Sequence, residues 1–135
     1  MIKKITQISF TIAIVLLVVS CKNTKQKLQE YVSTYNSTAA VFKGEYVTLT
    51  TARGYINDNK VELRFETNLL KNDSNKAVAS IVFPKLLKDM ISKNIIPEEL
   101  IKEGVQFDAY FLASDNTVLD KEVLNRETLD VLLKE

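Results

Sequence analysis

The sequence predicts an α+β domain in the order helix, hairpin, helix, hairpin, helix, with a four-stranded antiparallel sheet and helices packed on one of its faces. Three observations carry this. Leu28, Tyr31, Val32, Tyr35, Ala39 and Phe42 recur at three- and four-residue steps, the period of one helix face. In Lys60 to Thr67, Val61, Leu63 and Phe65 alternate with Glu62, Arg64 and Glu66, as in a strand with one buried and one wet face. Val105, Phe107, Ala109, Phe111 and Ala113 alternate with Gln106, Asp108, Tyr110 and Leu112 in the same way.

The first helix is expected from about Lys25 to Val41, stopping near Gly44. Tyr46 to Tyr55 is rich in Val, Thr and Tyr and reads as a strand, joined to Lys60–Thr67 through the turn Asn57-Asp58-Asn59. Asn68 to Asn75 is polar and loop-like. Ala77 to Ser92 reads as a second helix with Val78, Ile81, Val82, Leu86 and Met90 on its apolar side. Pro84 interrupts it, because an interior proline removes a backbone donor and crowds the preceding turn. Either the helix kinks there, which is the preferred reading, or Val78 to Phe83 is a strand. Pro97 to Gly104 is a short helix opened by proline and closed by glycine. After the strand from Val105, Asp115-Asn116 turns the chain into a fourth strand, Thr117 to Leu124. Asn125 then caps a closing helix bearing Leu129, Leu132 and Leu133. The two halves read as a weak structural repeat without residue repetition.

Ahead of this domain, Met1-Ile2-Lys3-Lys4 is a short basic start, and Ile12 to Val19 is an unbroken apolar run. The run is too short to cross ~30 Å of hydrocarbon, which takes ~20 apolar residues, but it has the length of a signal-peptide core. It ends in Val18-Val19-Ser20-Cys21, and Cys21 is the only cysteine. This segment resembles the lipobox of bacterial lipoproteins. The resemblance implies that residues 1–20 are a signal peptide cleaved between Ser20 and Cys21. It implies that Cys21 carries a diacylglyceryl group and an N-acyl chain such as palmitate, and that the mature protein is held in the cell envelope by this lipid. In the same family an Asp after the lipidated Cys retains some proteins at the inner membrane. Lys22 stands there instead, which favours the outer membrane, facing the periplasm, in a cell with two membranes. Residues 21–27 are then the lipidated Cys and a polar tether, whose lysines Lys22, Lys25 and Lys27 can also meet anionic headgroups. Residues 28–135 are the single domain. Its element order resembles the small α+β domains of exported bacterial lipoproteins, including cystatin-like ones.

Composition excludes several functions. Two of the 18 basic residues, Lys3 and Lys4, lie in the leader, leaving 16 against 17 acidic ones. A nearly neutral body without basic runs lacks the footprint of a nucleic-acid binder. With no His and a single Cys, the mature domain has no internal disulfide, no Cys/His metal site and no Ser-His-Asp or Cys-His centre. No cofactor is expected beyond the lipid on Cys21. Glu98, Glu99, Glu103, Asp108 and Asp115 are the candidate carboxylates for a hydrolase, but helix-dipole and turn chemistry account for Glu98, Glu99 and Asp115. The expectation is therefore a non-enzymatic, membrane-anchored module that binds an envelope protein. The alternatives are a small-ligand pocket between sheet and helices and a carboxylate-dependent envelope hydrolase. Tyr110 and Leu112 have the opposite parity from Phe107 and Phe111, so they are the candidate binding patch on the outer sheet face.

Overall fold

A computed structural model of the chain describes residues 23–38 and 44–134. The leader, Ser20 and Cys21, and the end of the first predicted helix with Phe42, lie outside the described residues. The elements are α1 (Thr24–Thr38), β1 (Val47–Tyr55), a 3₁₀ turn (Ile56–Asp58), β2 (Lys60–Thr67), α2 (Asp73–Ser92), α3 (Glu98–Lys102), β3 (Gln106–Leu112), β4 (Val118–Leu124) and α4 (Arg126–Lys134). The α+β class and the four-stranded sheet are as expected, with four helices of at least five residues among the described residues.

The strands lie in the order β1-β2-β3-β4. Both predicted hairpins form, β1 with β2 and β3 with β4. The sheet is nevertheless mixed, because β2 and β3 run parallel, with Val61 opposite Phe107 and Phe65 opposite Phe111. The cause is the connection. The 20 residues of α2 carry the chain from the finishing end of β2 back to its starting end, so β3 sets out in the same direction.

One sheet face makes the core. Val61, Leu63, Phe65, Phe107, Ala109 and Phe111 are fully buried on it. Both long helices pack there. Tyr31 of α1 stands edge-on to Phe107 at 5.5 Å, and Phe83 of α2 meets Phe65 at 5.4 Å and Phe111 at 5.1 Å. Gly54 lets α1 approach closely: a Cβ there would sit 3.1 Å from the Leu28 side chain and 3.3 Å from that of Val32.

Three local expectations change. The segment to Lys27 is not all tether, since α1 begins at Thr24 and Lys27 bridges Glu99 (3.2 Å) and Glu103 (2.9 Å). Helix α2 starts at Asp73, four residues earlier than expected, because the Asn72 side chain caps it by accepting from the Asn75 N–H at 2.7 Å. It runs through Pro84, so Val78 to Phe83 is helix and not strand. Its buried face is Ala79, Phe83, Leu87, Met90 and Ile91, turned from the expected one, and Ile81 is 60% exposed. Phe83 sets this orientation because its ring fills the space between two other phenylalanines.

Candidate functional site

Among the described residues the long helices pack on the opposite face of the sheet from Tyr110. The Tyr110 ring is half-buried, with the Lys121 ammonium 5.2 Å from its centre. Leu112 is 3% exposed. It is therefore not part of an exposed apolar stripe, and the two residues do not form the expected patch. The register of β3 with β4 slips between Phe111 and Leu112, which places Leu112 opposite Val118. The chain leaving β2 is also tied across this end: the Thr67 hydroxyl donates to the Leu112 carbonyl and the Ser114 N–H to the Leu69 carbonyl, both at 2.7 Å. Strict alternation carries no sign of either feature.

The candidate carboxylates are dispersed in structural roles. Glu99 and Glu103 hold Lys27, and Glu98 pairs with Lys102 at 3.4 Å. Asp108, 6% exposed, accepts from the Gln106 amide at 2.8 Å and faces Lys60 at 3.6 Å. Asp115 accepts from the Thr117 hydroxyl and N–H, and these bonds hold its carboxyl below the usual range. Among the described residues no cluster of His, Cys, Asp and Glu could hold a metal ion.

Both sheet edges carry side chains that occupy backbone groups. At β1, the Asn36 amide accepts from the Ala52 N–H (2.8 Å) and donates to the Ala52 carbonyl (2.9 Å), standing in for a neighbouring strand. At β4, the Thr128 hydroxyl donates to the Val123 carbonyl at 2.6 Å and the Lys71 ammonium to the Val118 carbonyl. Edges guarded in this way resist pairing with another strand.

The concave surface is instead on the flank where α2 and α4 meet β4. A groove of about 540 Å³ is lined by Pro84, Leu124, Val131 and Leu132, with Glu122, Glu127 and Thr128. It adjoins a second hollow of about 390 Å³ that shares Pro84 and Leu132 and adds Ser80, Ile81, Lys85 and Lys88. Pro84 has no N–H to give the Ser80 carbonyl, so the helix leaves an acceptor free of its usual partner at the groove wall. Ile81 and Val131, about 60% exposed each, form apolar lips. Charge is divided along the groove, with Glu122 and Glu127 at one end and Lys85 and Lys88 at the other. Beside it on β4, Asp120 Oδ2 is buried without a hydrogen-bond partner, and this burial raises the Asp120 carboxyl above its ordinary range. Sequence reading missed the groove. Its one visible sign is Pro84 within an apolar helix, which in the sequence speaks only to helix geometry.

No protein-family model and no curated protein matches the chain. Among solved structures, the type II secretion system pilotin AspS from Vibrio cholerae aligns over 76% of this chain and 95% of its own, with a TM-score of 0.39 and 10% identity. At that score the likeness carries no functional argument.

Proposed function

We propose that this protein is a lipid-anchored, non-enzymatic module of the cell envelope. In this reading it holds a short apolar segment of a partner protein in the groove between α2, α4 and β4. The lipobox-like Val18-Val19-Ser20-Cys21 behind a basic and apolar leader supports the anchor. Two acyl chains on one residue give stable attachment where a single chain does not. Among the described residues no helix is long and apolar enough to cross the membrane.

The observation that carries the binding reading is the division of the groove, with an apolar floor between an acidic and a basic end. That pattern fits a polypeptide whose apolar residues are flanked by a basic residue on one side and an acidic one on the other. Charge complementarity of this kind sets the orientation of a docked segment. A photocrosslinker at Val131 in living cells should capture a discrete envelope protein, and the same probe at Tyr110 should not. Equal capture at both positions, or none at Val131, would remove the groove from the reading. A second reading, a small apolar ligand, is favoured by the volume, since ligand pockets span ~300–1,000 Å³. Lipid or metabolite co-purifying with the wild type but lost on Leu132→Asp would support it over the peptide.

A further inference from the structure

The anchor and the fold together decide which end of the domain meets the membrane. Asn23 closes the start of α1: its side chain accepts from the Gln26 N–H at 2.9 Å, and its own N–H donates to the Gln26 side chain at 3.3 Å. Only Lys22 and Asn23 separate Cys21 from Thr24, the first helical residue. Three peptide steps of at most ~3.8 Å keep the Cys21 and Thr24 Cα atoms within about 11 Å.

The start of α1 is firmly attached to the domain. Lys27 is bridged to Glu99 and Glu103, Leu28 is fully buried, and the Tyr31 hydroxyl donates to the Ile95 carbonyl at 2.9 Å. Leu28 packs beside Gly54, Gly54 pairs with Val61, and Val61 with Phe107. The beginning of α1 therefore shares one end of the sheet with the 3₁₀ turn, the starts of β2 and β3, and α3.

We infer that in the anchored protein this end, formed by the start of α1, the Ile56–Asp58 turn and α3, lies against the bilayer surface. The opposite end, with residues 68–72 and the β3–β4 turn, points away from it. The inference rests on the Cys21 anchor proposed above.

The surface chemistry suits contact with headgroups. Lys25, Asn57, Asp58, Glu99, Lys102 and Glu103 are exposed there. The exposed large apolar side chains of the described residues lie elsewhere: Tyr46, Leu49, Leu70 and Val118 at the far end, Ile81, Val131 and Leu133 on α2 and α4. The domain thus rests on the headgroup layer without inserting. Acidic and basic residues are mixed on this end, so the short tether sets the orientation. The eight residues of β2, at ~3.3 Å each, separate the two ends by about 26 Å.

The test uses the full chain, processed in cells and reconstituted into vesicles containing an acceptor-labelled lipid. Cys21 as a thioether takes up no thiol dye, so Asp58→Cys and Ser114→Cys each supply one labelling site at opposite ends. Energy transfer to the bilayer should be at least about twofold stronger from position 58, given the separation of the ends. Inserting about twelve Gly and Ser residues after Lys22 should shrink that difference by freeing the domain. Equal or reversed transfer in vesicle-bound protein overturns the orientation while leaving the anchor standing. Dye uptake by the unsubstituted chain, with no vesicle binding, overturns both.

Discussion

Phe83→Ala should be the most damaging single substitution on α2. The Phe83 side chain is fully buried and touches two other rings, Phe65 at 5.4 Å and Phe111 at 5.1 Å, so it joins the helix to both central strands. Truncating a buried phenylalanine costs ~3–5 kcal/mol through lost burial and the cavity left behind. The lost ring contacts place this site toward the upper part of that range. A domain of this size has only ~5–15 kcal/mol in all, so the variant should approach the edge of folding. Ile81→Ala, two residues away on the same helix but 60% exposed, should stay within about 0.5 kcal/mol of the wild type. Urea unfolding of residues 22–135, followed by far-UV circular dichroism, gives both values from the midpoint at unchanged slope. A loss for Phe83→Ala no greater than that for Ile81→Ala would mean that the helix presents its other face to the sheet.

Further outcomes follow from single groups. Tyr35→Phe removes a 2.6 Å bond to Thr50, itself 1% exposed, and should cost ~1–2 kcal/mol in the same unfolding assay. Burial pushes the Tyr35 hydroxyl up to about 12, so the folded state keeps its proton where the unfolded chain, near ~10, has lost it. Stability should therefore fall as pH rises through that interval, less steeply in Tyr35→Phe. Asp120→Asn should raise stability at neutral pH by up to about 1 kcal/mol, a figure held low because the residue is only partly buried. The raised Asp120 carboxyl makes the wild type lose stability as pH climbs from the ordinary aspartate range to its folded value, and a pH series on the variant should lack that loss. Gly104→Ala should cost ~1–3 kcal/mol, because φ is +105° there while the nearest atom to an added Cβ is an ordinary 3.5 Å away.

Local pattern was legible in the sequence where one force dominated. Strict alternation identified the inward residues of β2 and β3, and all of Val61, Leu63, Phe65, Phe107 and Phe111 are buried. Turn chemistry also held: Asn59 and Asn116 adopt positive φ in the two predicted turns, and the Asn125 side chain accepts from the N–H groups of Glu127 and Thr128. The parallel pairing of β2 with β3 was not legible, because it depends on where α2 delivers the chain and not on any residue within the strands. The face of α2 was misread for a related reason. Val78, Ala79, Ile81, Val82 and Phe83 are all apolar, so periodicity alone cannot choose among them, and packing against Phe65 and Phe111 does. Leu112 is buried beside a slip in register, and the groove forms only where Pro84 of α2 is brought against the adjoining β4 and α4 from far back in the chain, so neither leaves a local pattern.

The proposed lipid on Cys21 is the premise of both the location and the orientation, and mass spectrometry of the protein extracted from cell membranes tests it most directly. The expected result is a mature chain that begins at Cys21, with its N-terminal peptide heavier by a diacylglyceryl group, and that is absent from a Cys21→Ser strain. An unmodified Cys21 thiol, or a membrane-extracted chain that retains residues 1–20, would contradict it.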